Sequence, residues 1–135
     1  MSSKYFQQIM EDFFKELGIE SHEQLELTYV LTADNFGEII IAEQPTQWVI
    51  LLAQIGEKPF DSSILWYKDI LIENSLLDKA TPKPSLGLIG ETLIQKAQLP
   101  LEYLTLQLLK QWVEFFLQIA IENQKKFILN WKENI

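Results

Sequence analysis

Apolar residues recur at helical spacing in three stretches of this chain, and alternate or run together as in strands in five others. The first helical stretch can be capped by Ser2 or Ser3 and runs to Leu17, with Gly18 as the residue just past its end. Its apolar set is Tyr5, Phe6, Ile9, Met10, Phe13, Phe14 and Leu17, which spreads over about 180° of a helical wheel. The middle of that band suits a core, and its margins at Tyr5 and Phe14 suit contact with a partner. A polar connection over 19–24 follows. Strand-like runs then occupy 25–31, 38–42 and 47–55, separated by turn residues at 33–37 and 43–46 and closed by Gly56. Connections this short predict an antiparallel meander. Ile39-Ile40-Ile41 and Val49-Ile50-Leu51-Leu52 are apolar at consecutive positions, so both sheet faces are expected to be at least partly covered or adhesive.

The second helical stretch, 61–77, organises the rest. Its apolar residues form three stripes: Leu65, Ile72 and Leu76; Ile64, Tyr67 and Leu71; and Trp66, Ile70 and Leu77. A helix lying on one side of a sheet needs a single stripe about 100° wide. An apolar surface nearly all the way round calls for a second cover, and another protein chain fits better than a bilayer, because no stretch reaches the roughly 18 apolar residues that a span requires. Pro82-Lys83-Pro84 ends this region. Two more strands are predicted at 85–89 and 92–97 around a turn at Gly90-Glu91, with Gly87 as a bulge or close-approach position. Leu99-Pro100-Leu101 leads into a last helix capped by Thr105. That helix keeps Gln107, Lys110, Gln111, Glu114, Gln118 and Glu122 on one polar side and can continue to Trp131. Phe127, Ile128 and Trp131 make a second place where apolar surface outruns one core. The predicted fold is one α+β domain over 1–135, an antiparallel sheet with helices in the order α-β-β-β-α-β-β-α.

A chain of 135 residues can bury one real core without staples. Its net charge of −8 disfavours nucleic acid and anionic membrane surfaces, which both call for surplus Lys and Arg. The absence of cysteine removes disulfides, thiolate nucleophiles and zinc–sulfur sites together. The first eight residues carry no apolar targeting core, so a soluble cytoplasmic protein is expected. His22 is the only histidine, and a lone loop histidine supplies neither a nucleophile nor an orienting group. Glu11-Asp12 and Glu20 with Glu23 sit on polar faces, where a carboxylate is solvated. Leu86-Gly87-Leu88-Ile89-Gly90 lacks the glycine spacing and the Lys-Ser/Thr ending of a phosphate loop. The sequence predicts no enzyme, no metal and no cofactor.

The ordered set of motifs resembles the class I type III secretion chaperones, the family that includes the Tir chaperone. The helix ending Leu71-Ile72-Glu73-Asn74-Ser75-Leu76-Leu77 is similar to that family's leucine-rich helix with its Ala-Asn pair, with Glu73 where alanine is common. Leu86-Gly87-Leu88 followed by Leu93-Ile94 resembles its Leu-Gly-Leu strand and hairpin partner. Leu99-Pro100-Leu101 before a long aromatic helix, and the first helix ending Leu17-Gly18, match as well. Pro82-Lys83-Pro84 departs from the usual glycine-rich connection. The resemblance implies a homodimer through the second helix and the following strand, here Trp66, Ile70, Leu77, Leu86 and Leu88. It implies an extended N-terminal segment of a secreted effector as partner, without nucleotide. The effector contacts are expected on the first helix and first three strands, at Tyr5, Ile9, Phe14, Ile39, Ile41 and Val49. An acidic immunity or adaptor protein that binds a folded partner shares the composition but needs no dimer. A ligand-binding or enzymatic domain would need a convergent polar cluster.

Overall fold

The computed structural model describes residues 3–18, 23–25, 28–44, 47–60, 63–75 and 83–131. Along them run α1 (Ser3–Leu17), β1 (Glu23–Leu25), β2 (Thr28–Ala33), β3 (Gly37–Gln44), β4 (Trp48–Glu57), α2 (Ile64–Ser75), β5 (Ser85–Ile89), β6 (Thr92–Pro100) and α3 (Leu106–Gln124). A 3-10 turn over Leu101–Tyr103 joins β6 to α3, and a π-helical turn over Lys125–Leu129 extends α3. The predicted element order holds, with the three-residue β1 added at the margin. His22, Leu76, Leu77 and Pro82 lie outside the described residues.

Every strand pair is antiparallel, and the sheet order is β1-β2-β3-β4-β6-β5. A meander of β1 to β4 and a β5–β6 hairpin build it, and α2 carries the chain from β4 to the far margin so that β6 returns against β4. Strand β6 is longer than predicted: Leu99 and Pro100 still pair with Val49 and Trp48. Proline is tolerated there because it closes the strand, and the next backbone N–H, of Leu101, donates to Gln47 O at 2.9 Å. Gly56 does not end its strand as expected. It sits inside β4 at a register shift opposite Leu93, with φ +153°, and an added Cβ would stand 3.1 Å from Ile128 side-chain carbons. Gly87, by contrast, lies in regular register opposite Ile94 and marks no bulge.

One face of the sheet is covered by helices. Phe6, Met10, Phe13 and Phe14 of α1 share a cluster with Tyr29, Ile39, Ile41, Val49 and Leu51 of the sheet and with Leu109, Trp112 and Phe116 of α3. A second cluster under α2 joins Ile55, Trp66, Ile70, Leu86, Leu93, Ala120 and Phe127, and Phe36 packs against both. The π-helical turn explains why Phe127 is not surplus surface as predicted. Widening the last turn, with Asn130 N donating to Lys125 O at 2.8 Å, accompanies full burial of Phe127. Its carbonyl accepts the indole N–H of Trp66 at 2.9 Å. Thr105 caps α3 as predicted, its hydroxyl accepting from Leu108 N at 3.1 Å.

Alternation along β6 points Leu93, Gln95 and Ala97 inward. A buried glutamine has to be satisfied, and Gln95 is: its Nε2 donates to Phe116 O at 3.0 Å and its Oε1 accepts from Asn123 Nδ2 at 2.8 Å. Replacing Gln95 by methionine keeps the volume but strands the Asn123 donor in the core. Urea unfolding of Gln95→Met is expected to show a loss of about 1–3 kcal/mol, part of it recovered by adding Asn123→Leu.

Candidate functional site

Among the described residues, the features that stand out are two apolar surfaces. The first is α2. Its N-terminus is set by Ser63, whose Oγ accepts from Leu65 N at 3.2 Å. Of the three apolar stripes, one turns inward: Trp66 is fully buried and Ile70 nearly so. The other two face out, with Ile64 80% and Leu71 69% exposed, joined by Leu65, Tyr67 and Ile72. On β5, Leu88 and Ile89 are also exposed. Lys58 borders this surface, donating to Tyr67 Oη at 2.9 Å and pairing with Glu91 at 3.3 Å. The hydrogen bond to Tyr67, and then Glu91, outweigh desolvation and raise the lysine's pKa above its ordinary 10.5.

The structure places the subunit residues expected from sequence as follows. Trp66, Ile70 and Leu86 belong to the chain's own second core, Leu88 alone of that set is exposed, and Leu77 lies outside the described residues. Sequence reasoning named the inward stripe of α2 because all three stripes are apolar, and spacing cannot say which of three meets the sheet.

The second surface is the sheet face opposite the helices. Ile40 pairs with Leu52, Ile50 lies beside Ala42, and Ile94 stands across from Gln54. Ile40, Ile50, Leu52 and Ile94 are half-buried and join neither core cluster. A hollow of about 280 Å³ opens on this face between Ile40, Leu52, Ile89 and Ile94, with Glu38 and Gln54 on its lining. The effector-contact residues expected from sequence do not lie here. Ile9, Phe14, Ile39, Ile41 and Val49 are all buried in the main core and offer no surface in this structure. Only Tyr5 is half exposed, and its hydroxyl donates to Leu104 O. The strand residues face the helices, and in a run such as Ile39-Ile40-Ile41 a shift by one residue exchanges the two faces of the sheet.

The C-terminal end of α2 is fastened by polar groups. Glu73 accepts from Lys83 Nζ at 2.9 Å and from Lys126 Nζ at 3.2 Å, and Lys83 also donates to the Glu73 carbonyl at 3.1 Å. Partial burial works against ionisation of Glu73, but the hydrogen bonds and charges of the two lysines outweigh it and hold the carboxyl below its ordinary 4.5. Asn74 reaches β5, its amide donating to Leu86 O at 2.8 Å and accepting from Leu86 N at 2.7 Å. Among the described residues, no cluster of His, Asp or Glu has the arrangement of a metal site, and no helix is long and apolar enough to cross a membrane.

A helix-backed antiparallel sheet with two uncovered apolar surfaces defines a binding protein. The sequence profile of the Tir chaperone protein (CesT) family matches residues 8–123, and the chain belongs to that family. No curated protein matches the sequence. Among solved structures, the chain is similar to one in the Yersinia pestis type III secretion chaperone SycH bound to a stable fragment of YscM2. The two are 20% identical with a TM-score of 0.69, covering 87% of this chain and 98% of that one. A chain of the HopA1–SchA chaperone–effector complex is 16% identical with a TM-score of 0.74, covering 93% and 98%. A chain of the ExoT–SpcS complex from Pseudomonas aeruginosa is 18% identical with a TM-score of 0.66, covering 90% and 98%. At such identities these likenesses show the fold, and the family match supplies the class: a chaperone.

The depressed pKa of Glu73 has a consequence for stability. A carboxyl whose pKa is lower in the folded state adds stability above the unfolded value, and that stability is lost as pH falls through the folded value. Thermal unfolding of Glu73→Gln is expected to be less steep than wild type in its acid limb below pH 4.5. At neutral pH the variant should melt lower.

Proposed function

We propose that this chain is a cytoplasmic, homodimeric secretion chaperone that holds the N-terminal chaperone-binding segment of a secreted effector extended, soluble and export-competent. The observation that carries this reading is the pair of uncovered apolar stripes on α2, continued by Leu88 on β5. Large aliphatic residues at such exposure on one helix favour a second protein surface. A two-fold axis lets one patch serve both subunits. Membership of the Tir chaperone family favours a second copy as the occupant. The effector segment lies on the other surface, over Ile40, Ile50, Leu52 and Ile94, where an extended chain can place alternate side chains in the hollow beside Ile89. Apolar burial supplies the affinity, so the cycle needs no nucleotide or other cofactor. Solved relatives of the fold include chaperones bound to effector proteins, which agrees with this use.

Light scattering coupled to size exclusion, over a concentration series, tests the dimer. A mass near twice 15.8 kDa is expected for wild type, and the single-chain mass for Leu71→Asp with far-UV circular dichroism unchanged. A wild-type monomer at every concentration overturns the dimer. Ile40→Asp, on the other surface, is expected to keep the dimer mass but lose a co-expressed effector segment at least tenfold in co-purification. Undiminished co-purification would move the effector off this face.

A further inference from the structure

Strand β5 is one of the two outer strands of the sheet, and an outer strand presents backbone donors and acceptors that another chain can pair with. In an antiparallel ladder a residue's N–H and C=O point the same way, so successive residues alternate between facing the neighbour and facing out. The Asn74 side chain bonds both groups of Leu86, and Leu86 therefore faces out. Pro84 and Leu88 share that direction, while Ser85, Gly87 and Ile89 face Lys96, Ile94 and Thr92 of β6.

The outward side of this edge is thus almost fully closed. Pro84 has no N–H to give. Leu86 has its donor and acceptor both taken, by an amide with the same donor–acceptor pattern as a peptide group. Leu88 alone keeps an outward pair that no described residue meets. The plug is held from behind, because Glu73, the residue before it, is tied to Lys83 and Lys126. An added strand needs consecutive outward pairs, and β5 offers one.

We propose that Asn74 is an edge plug that closes β5 to strand addition. A second copy docking on α2 and β5 then meets this edge through side chains alone. The pair stays closed, where an open β5 would let sheets join edge to edge without limit. The consequence for the native assembly rests on the dimer reading above; the plug itself does not.

The test compares wild type, Asn74→Ala and Asn74→Ala/Leu88→Pro by light scattering over a concentration series, with infrared detection of intermolecular strands. Asn74→Ala is expected to grow with concentration to at least double the wild-type mass and to gain the intermolecular signal. Leu88→Pro, which removes the remaining outward donor without breaking a bond to β6, should return the mass to the wild-type value or below. Asn74→Ala that merely melts lower at unchanged mass would make Asn74 an anchor for α2 and overturn the plug. Amide hydrogen exchange on wild type keeps the proposal testable where Asn74→Ala does not fold. The Leu86 amide is expected to be protected and the Leu88 amide to exchange at least tenfold faster, whereas equal protection of the two would mean a paired edge and overturn it. A wild-type monomer sinks the dimer reading only, since Asn74→Ala should then convert monomer to larger species.

Discussion

The rest of the structure depends on a helix that is apolar nearly all the way round. Burying a large aliphatic side chain is worth about 1.5–3 kcal/mol, so each uncovered stripe of α2 leaves a substantial driving force unused. The sheet satisfies one stripe by taking Trp66 and Ile70 into the second core beside Phe127. Residues of the remaining two, above all Ile64 and Leu71, stay exposed. The exposed side of α2 and strand β5 are then linked, because the same margin of the sheet that receives the helix also carries the exposed Leu88.

The sheet repeats that logic in flatter form. A strand covered on one side alone alternates apolar and polar, as β6 does, Ile94 apart, with Gln98, Lys96 and Thr92 turned away from the helices. β3 and β4 do not alternate. Their inward Ile39, Ile41, Val49 and Leu51 build the main core, while Ile40, Ile50 and Leu52 spend apolar side chains on the outside. A surface of that kind costs solubility unless something covers it. The strongly acidic chain, at −8, supplies the charge that keeps such a protein dispersed.

Much of the architecture was legible in the sequence, because hydrophobic period and turn chemistry report on local geometry. The cap at Thr105, the end of α1 at Leu17 and the hairpin at Gly90 all followed from them. Faces were less legible, for a physical reason. Consecutive isoleucines and a helix with three apolar stripes carry no phase, so Ile39 and Ile41 were assigned outward and Trp66 and Ile70 to a partner when tertiary packing needed them inside. The family resemblance points to elements, and an element has two sides. The π-helical turn, Gly56 within β4 and the contact of Glu73 with Lys126 involve residues distant in sequence, and no local signal announces them.

The polar fastenings at the end of α2 give the apolar surfaces a fixed shape. Binding loses affinity when groups must be ordered at the moment of contact, so a docking helix works best when already held. Trp66 ties the start of α2 to Phe127, Glu73 ties its end to Lys83 and Lys126, and Asn74 ties it to the outer strand. Two of these partners, Lys126 and Phe127, come from the π-helical turn. The C-terminal segment therefore acts as a brace for α2, and its wider winding is the local distortion that lets one short stretch reach both the core and the rim of the helix. The inward stripe supplies stability, and the brace keeps the outward stripes exposed on separate faces in one fixed arrangement.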